Sequence, residues 1–275
     1  MNCLVIGDVS VDTIAHLDVP VETQSTHFPK ALYTRLGGSA AGKALNLDYF
    51  NHSVDLISRI GQDMHGSMIQ EHFSKTDVRT HFIETKDASI LHFNLLAQNR
   101  ERISIFTAHP DIQPKPDFKT HQSLIDASDQ IFLELSGTFK DWAALIDHPN
   151  VWVDLHDYDG SNPFMDPYIK VASVIMMSDA ALSLEASHEM GQSLSKSKRA
   201  VLITRGSRGV TLYDKGTLID FPVQTQLEPV DTDGAGDAFM VALYHYLKED
   251  FKTAIPKAIE HAEKAIMTEA LAPQK

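Results

Sequence analysis

Most of the chain alternates between short apolar runs and stretches with helical spacing. Residues 3–6 form the first apolar run, and Gly7 and Asp8 close it. Short apolar runs that end at glycine are typical of buried strands. Further runs of this kind lie at residues 54–60, 130–135, 150–155, 171–177 and 200–204, with helical spacing at 39–50 and 66–74. This alternation predicts an α/β fold whose mostly parallel sheet has helices on both faces.

Two segments depart from this rhythm. Residues 26–36 and 81–107 alternate polar and apolar positions with a period of roughly two, which indicates half-buried strands. Residues 90–96 and 102–106 flank a predicted turn at 99–101. We therefore predict a hairpin outside the parallel sheet, in the position of a small flap over one end of it.

The last third of the chain predicts a hairpin followed by two helices. Residues 211–213 and 218–221 flank a turn-forming Asp-Lys-Gly segment. A helix with a buried apolar stripe begins near Gly234. The final helix is predicted over residues 253–271, with Pro256 in its first turn, where proline is tolerated.

Composition narrows the class of protein. The 275 residues are 43% hydrophobic and 22% charged, which is typical of a globular protein and unlike a disordered chain. The net charge of −13 argues against nucleic-acid binding, which depends on lysine and arginine. The single cysteine, Cys3, excludes a disulfide framework, and no apolar run is long enough to span a membrane. We therefore expect a cytoplasmic protein that binds neither nucleic acid nor membrane.

Candidate chemistry is concentrated at residues 231–237, which read Asp-Thr-Asp-Gly-Ala-Gly-Asp directly before a predicted helix. The amides of Gly234, Ala235 and Gly236 would lie at the helix start and form an anion-binding site. Asp237 would lie beside that site, where a carboxylate can accept the proton of a hydroxyl that attacks a phosphoryl group. The structural alternative is that Asp237 complements the helix dipole and the glycines form a tight turn.

These residues resemble the C-terminal signature of the ribokinase-like (PfkB) family of sugar and nucleoside kinases, Asp-Thr-x-Gly-Ala-Gly-Asp. Other segments match the family in order along the chain. They are Gly7-Asp8 with Asp12, the Gly37-Gly38 segment, Gly61-x-Asp63 followed by Gly66, and Thr204-x-Gly206-x-x-Gly209.

The resemblance implies a three-layer α/β/α fold with a small β-sheet lid, formed by about residues 13–36 and 81–107 of a single domain, 1–275. It implies an ATP-dependent kinase that phosphorylates a hydroxyl of a small sugar, with Asp237 as base and the Gly234, Ala235 and Gly236 amides at the phosphoryl group. The implied cofactors are ATP and Mg²⁺, with a monovalent cation as a further candidate. A homodimer through the lid is also implied.

The resemblance assigns binding roles to further residues. Substrate contacts fall on Asp12, Gly37, Gly38 and Arg102, although Arg102 fits a surface strand position equally well. Nucleotide contacts fall on Thr204, Gly206, Gly209 and Thr232, with Arg205 as a phosphate partner.

Two departures from the family pattern affect the expected site. Gly42 stands where the family usually has asparagine, and Lys43 follows it. Lys43 is therefore a candidate contact for an anionic group on the substrate, against the alternative of a solvated helix lysine. The family's Asn-x-x-Glu is missing after the strand that ends at residue 177, and Asp179 and Glu185 are disfavoured substitutes for it. The candidates for holding Mg²⁺ are nucleotide phosphates, water and Asp231.

Two other functions remain open from the sequence. One is a nucleoside kinase of the same fold, and the other is a family member that binds sugar or nucleotide with little turnover.

Asp154 and His156 follow a predicted strand, and a polar loop with a substrate contact is favoured there over a metal site.

Overall fold

The structure, a computed structural model, describes residues 1–21, 24–97, 102–110, 115–223, 227, 230–268 and 270–273. The strands are β1 (Asn2–Ile6), β2 (Ser10–His16), β3 (Ala31–Gly37), β4 (Ser53–Gly61), β5 (Arg79–Thr85), β6 (Ile90–Leu96), β7 (Arg102–Ala108), β8 (Gln130–Leu133), β9 (Val151–Asp154), β10 (Val174–Ser178), β11 (Ala200–Thr204), β12 (Val210–Asp214) and β13 (Thr217–Phe221). The helices are α1 (Ser39–Tyr49), α2 (Met64–Phe73), α3 (Gln122–Asp126), α4 (Lys140–Ala143), α5 (Asp166–Val171), α6 (Leu184–Ser195), α7 (Ala235–Tyr246) and α8 (Phe251–Ala265).

Within the described ranges the strands form two sheets. The nine-stranded central sheet has the order β13-β12-β11-β10-β9-β8-β1-β4-β5, and its strands from β11 to β5 are parallel. At the other edge, β12 and β13 form the antiparallel hairpin that the sequence predicts. The second sheet, called the lid sheet below, has four strands in the order β3-β2-β6-β7.

Helices cover both faces of the central sheet, as the pattern of short apolar strands predicts. Val5 points to one face, where residues of α1, α2, α7 and α8 form one buried cluster. Its neighbours Leu4 and Ile6 point to the other face, which packs against residues of α4 and α5. The three-layer α/β/α prediction is thereby confirmed. Across the described residues, no helix is long and apolar enough to cross a membrane.

Some predicted boundaries differ from the structure. The strand predicted at 171–177 begins at Val174, because Val171 ends α5. The last helix spans Phe251–Ala265 instead of 253–271, because the Asp250 side chain caps it by accepting from the Thr253 amide at 2.9 Å. Pro256 consequently lies inside the helix rather than in its first turn.

The lid also starts and ends at different residues than predicted. Arg79–Thr85 pairs in parallel with β4 and so belongs to the central sheet. Within the predicted segment 81–107, only the hairpin from Ile90 onward joins the lid sheet, where β6 pairs antiparallel with β7. The first lid strand begins at Ser10 rather than at residue 13. The predicted turn at 99–101 lies outside the described residues.

A buried histidine of α8, which contacts α1, makes the free energy of unfolding depend on pH. His261 Nε2 donates to Asn46 Oδ1 at 3.0 Å, and burial lowers the pKa of His261 to about 4. Between the ordinary histidine pKa and pH 4, the unfolded chain binds a proton that the folded chain does not. The free energy of unfolding is therefore highest above that ordinary pKa and falls as pH drops towards 4.

Between pH 7.5 and pH 4.5, we expect the free energy of unfolding to fall by about 1–3 kcal/mol less in His261→Gln than in the unsubstituted chain. Glutamine keeps a hydrogen-bond donor for Asn46 but does not titrate. The measurement is the free energy of unfolding from urea titrations at pH 4.5 and pH 7.5. The same difference between the two pH values in His261→Gln and in the unsubstituted chain would contradict the assignment.

Candidate active site

A cleft of about 710 Å³ lies between the carboxyl ends of the central strands and the lid sheet. Each of β1, β8, β9, β10 and β11 contributes a lining residue at or just after its carboxyl end. The lid sheet adds residues of β2, β6 and β7. These lining residues include Asp8, Glu134, Asp154, Ser178 and Thr204 from the central sheet, and Asp12, His92, Ser104 and Phe106 from the lid sheet. Ligands of open α/β sheets bind at this edge.

The start of α7 forms one wall of the cleft. Gly234 adopts a left-handed conformation with a φ of 78°, and no side chain caps the helix. The amide of Ala235 donates to the Thr232 carbonyl at 3.3 Å and closes the turn before the helix. Gly234 and Gly236 line the cleft. The positive end of the helix dipole therefore faces the cleft, where a phosphoryl group would be stabilised.

Asp237, in the first turn of α7, also lines the cleft although it is only 6% exposed. Its Oδ1 accepts from Lys43 Nζ at 2.5 Å. Lys43 also contacts Glu134 Oε1 at 3.0 Å. Burial raises the pKa of Asp237, and the charge and hydrogen bond of Lys43 act in the opposite direction. The result is a carboxylate in the cleft whose protonation state depends on its buried neighbours.

The two expectations for Lys43 require correction. The side chain is 0% exposed, so the prediction of a solvated helix lysine is wrong. The residue is also absent from the described residues that line the cleft, and its ammonium is already bound to two carboxylates. Burial by itself would lower the pKa of Lys43, but Asp237 and Glu134 raise it above its ordinary value. Lys43 therefore contacts protein carboxylates where a substrate anion was expected.

Of the predicted substrate residues, Asp12 and Gly38 line the cleft at its lid side, and Gly37 packs against Asp12 outside the described lining. Asp12 is buried in β2, and its Oδ1 accepts from Ser10 Oγ at 2.6 Å. A Cβ on Gly37 would lie 2.0 Å from Asp12 Cγ, so the glycine provides the room for that carboxyl group. Gly38, with a φ of 91°, precedes α1 and lines the cleft beside Asp12.

The predicted nucleotide residues separate into two groups. Thr204 and Thr232 line the cleft. The turn with Arg205, Gly206 and Gly209 is not part of that lining among the described residues.

Close packing holds this turn in place. The Arg205 amide donates to the Gly209 carbonyl at 2.8 Å, and the Arg205 guanidinium pairs with Asp220 at 3.0 Å. A Cβ on Gly209 would lie 2.0 Å from the Phe221 carbonyl oxygen, and its φ is 99°. The Arg205 side chain thus has a protein partner in the position where a phosphate was expected.

The candidate metal residue Asp231 is buried and is bound to an arginine. Its Oδ2 lies 2.9 Å from Arg35 Nη2, and the same guanidinium contacts Asp233 at 3.1 Å. Asp179, near the missing Asn-x-x-Glu, pairs with Arg208 at 2.6 Å. Within the described ranges, no group of three or more His, Cys, Asp or Glu side chains is arranged to hold a metal. These residues do not form a metal site of their own, and Asp231 as a Mg²⁺ ligand stays a prediction.

Arg102 is the first residue of β7, and its side chain lies outside what the structure describes. Its role as a substrate contact stays a prediction.

The sequence assigns no role to three residues of the cleft, although Asp8 lies in one of the segments that match the family. Glu134 was placed within the strand predicted at 130–135, but β8 ends at Leu133 and Glu134 faces the cleft. Asp8 accepts hydrogen bonds from Ser136 and Thr138. His92 lies opposite Asp12 in the register of the lid sheet. An acidic residue directly after a buried strand was the available signal for Glu134 and Asp8.

Comparison with known proteins places the chain in a family. A family model described as pfkB family carbohydrate kinase matches residues 2–141 and 174–268. The matched segments make up most of the chain. The chain therefore belongs to the pfkB family of carbohydrate kinases, and it is a kinase of that family.

Individual relatives agree with this placement. The chain is 24% identical to a ribokinase of Bacillus subtilis over 258 residues, which cover 90% of this chain and 86% of the relative. The solved structure of a microbiome-derived acarbose kinase superposes with a TM-score of 0.84 at 22% identity, covering 99% of this chain and 95% of that one. A Burkholderia thailandensis nucleoside kinase in complex with inosine gives a TM-score of 0.75 at 16% identity, covering 98% and 92%. These structural likenesses show the same fold.

Proposed function

We propose that the protein transfers the γ-phosphoryl group of ATP to a hydroxyl of a small sugar, with Asp237 as the general base. One observation carries this proposal: the buried carboxylate of Asp237 lies in the cleft, on the first turn of a helix whose uncapped N-terminus faces the same space. A base for the attacking hydroxyl and a helix end that stabilises an anion both promote phosphoryl transfer to an alcohol.

In this mechanism the residues on each side of the cleft have distinct roles. Asp12 accepts hydrogen bonds from acceptor hydroxyls, and the backbone at Gly38 lies close to the sugar because it carries no side chain. Gly37 contributes by leaving room for the Asp12 carboxyl group. Asp237 accepts the proton of the attacking hydroxyl. The helix end at Gly234 and Gly236 stabilises charge on the transferred group. The lid sheet limits access of water, so that the γ-phosphoryl group reaches the sugar instead.

The nucleotide side of the proposal rests on Thr204 and Thr232, which line the cleft, and on the neighbouring Gly206–Gly209 turn. We propose that Mg²⁺ arrives on the phosphates of ATP. A monovalent cation stays a candidate from the family resemblance.

We further propose that residues 1–275 act as one kinase domain, located in the cytoplasm.

A nucleoside is the second candidate acceptor, and an aromatic pair in the cleft favours it. The rings of His92 and Phe106 stack with their centroids 4.5 Å apart, and both residues line the cleft. Phe106 is 59% exposed, so its ring has free surface on which a base could stack. A structural neighbour that binds inosine supports the same candidate.

A homodimer through the lid sheet is supported by the outer face of that sheet. The register aligns Leu32, Leu95 and Ile103 in one row across β3, β6 and β7, on the face opposite Asp12. Leu32 and Ile103 are exposed, as is Ile105 in the adjacent row. Light scattering of the purified chain tests this: a dimer that Ile105→Lys converts to a monomer is expected, and a monomeric unsubstituted chain would refute it.

The test of the proposed function is a panel of neutral sugars, sugar acids and nucleosides, each incubated with Mg-ATP and the 275-residue chain. We expect ADP to form at a rate that depends on the acceptor, and the true acceptor to raise the melting temperature. Ligand-induced stabilisation without ADP would favour the third possibility, a binding protein with little turnover. No ADP with any acceptor and no stabilisation would refute the proposal.

A further inference from the structure

Lys43 is a fully buried lysine whose charge the proposed function has not used. Its Nζ lies 2.5 Å from Asp237 Oδ1 and 3.0 Å from Glu134 Oε1. Asp154 is a third carboxylate whose charge acts on it. Burial of an unpaired ammonium is strongly unfavourable, so these carboxylates are what keeps Lys43 charged inside the protein.

Gly42 provides the space that this arrangement needs. A Cβ at position 42 would lie 2.4 Å from Asp237 Oδ2 and 3.1 Å from Asp237 Cβ. One carboxylate oxygen of Asp237 is therefore bound to Lys43, while the other lies against the bare backbone of Gly42. Adjacent residues of α1 thus fix Asp237 on two sides.

The groups that face Asp237 come from three elements. Lys43 faces it from α1, Glu134 from the end of β8, and Asp154 and His156 from the end of β9. Burial raises the pKa of Asp237 above its ordinary value, with a further contribution from Asp154, and the charges of Lys43 and His156 limit this rise. Without Lys43, a buried carboxylate would face two further carboxylates, and its protonated form would be favoured. A protonated carboxyl group cannot accept a proton from an acceptor hydroxyl.

We propose that Lys43 is a positioning residue that holds Asp237 ionised and aligned beside the start of α7, and that Glu134 anchors Lys43 from the other side. This inference rests on the proposed role of Asp237 as general base. Lys43 acts through Asp237 and makes no contact with the substrate.

The first test is the pH dependence of kcat in Lys43→Met, which removes the charge but keeps the length of the side chain. We expect the acidic limb of the profile to move upward by about 1–3 pH units, because the ion pair no longer favours the ionised base. At neutral pH, kcat falls at least tenfold, and it recovers at high pH while the KM for the acceptor changes little. Lys119→Met, on an exposed lysine, is the control and keeps the original profile. An equal loss at every pH would show a merely structural role.

The second test does not require Lys43 to be removed. Glu134→Gln retains the Lys43–Asp237 pair but removes one negative neighbour, so the acidic limb should move to lower pH. This opposite direction is informative even if Lys43→Met does not fold. An acidic limb that stays in place in Glu134→Gln, or moves upward, would overturn the proposal.

The third test is independent of activity. Infrared spectra at neutral pH should show the carbonyl stretch of a protonated carboxyl group in Lys43→Met. The band should be weaker in the unsubstituted chain. It should also be weaker in the double variant Lys43→Met/Asp237→Asn than in Lys43→Met, because that double variant keeps only Glu134 of the two carboxyl groups that Lys43 contacts. A band no stronger in a folded Lys43→Met than in the unsubstituted chain would refute the inference even if the kinase activity is real. A stronger band in Lys43→Met, when the chain phosphorylates no acceptor, would support the role of Lys43 while refuting the proposed function.

Discussion

Asp237→Asn is expected to lower kcat by about a thousandfold, because asparagine fills the same space but cannot accept a proton. Binding of ATP and acceptor should persist, since the helix end and Asp12 are unchanged. The fold should also persist, because Lys43 keeps Glu134 at 3.0 Å as an anionic partner. The measurement is steady-state ADP formation, together with the melting temperature of both proteins.

The matched control is Asp126→Asn, an exposed aspartate at the end of α3. It makes the same chemical change on the far side of the sheet and should leave kcat and the melting temperature unchanged. If Asp237→Asn folds normally and keeps kcat within tenfold of the unsubstituted chain, Asp237 is not the base.

Gly42→Ala is expected to lower kcat by about a hundredfold, because the added methyl group takes the position of Asp237 Oδ2. The predicted separation of 2.4 Å is far below van der Waals contact, so the carboxylate has to move. A displacement of about 1 Å in a catalytic group is enough to cost this much rate. The assay is kcat and KM for the acceptor, with the larger change expected in kcat.

Gly137→Ala is the control for this substitution, because a Cβ there would meet nothing within 4 Å. It should leave both kinetic constants unchanged. A Gly42→Ala variant that is as active as Gly137→Ala would show that the position of Asp237 against α1 is not required for turnover.

Much of the fold could be predicted because its signals are local. Short apolar runs alternating with helical spacing are sufficient to indicate a parallel sheet with helices on both faces. The anion-binding helix start at residues 231–237 could be predicted for the same reason, since its small residues directly precede a helix. The end of the last helix could not be predicted in this way. Buried Leu271 extends the apolar pattern, although the helix ends at Ala265.

The interactions inside the site could not be predicted, because their partners are far apart in sequence. Lys43 and Asp237 are separated by 194 positions, and nothing local to α1 indicates that its lysine is buried against a carboxylate from α7. The same holds for Arg205, whose expected phosphate role gives way to a pairing with Asp220 from the adjacent hairpin. From the sequence, Gly42 is a departure from the asparagine that the family usually has, and only the structure shows that its missing side chain makes room for Asp237.

The net charge of −13 is reflected in the charges around the cleft. The cleft is lined by several carboxylates, and the nearby cations Lys43, Arg35 and Arg205 are all paired with protein acids. Among the described residues, the helix end at Gly234 is therefore the feature that we expect to stabilise the phosphates of a bound nucleotide.

The most direct test of kinase activity is a single-turnover experiment with ATP labelled in its γ-phosphoryl group and the best acceptor of the panel. With the 275-residue chain in excess, we expect the label to appear on the acceptor hydroxyl in equal amount to the ADP formed, and Asp237→Asn to slow this transfer about a thousandfold. Label released as inorganic phosphate, or transfer at an undiminished rate in Asp237→Asn, would contradict it.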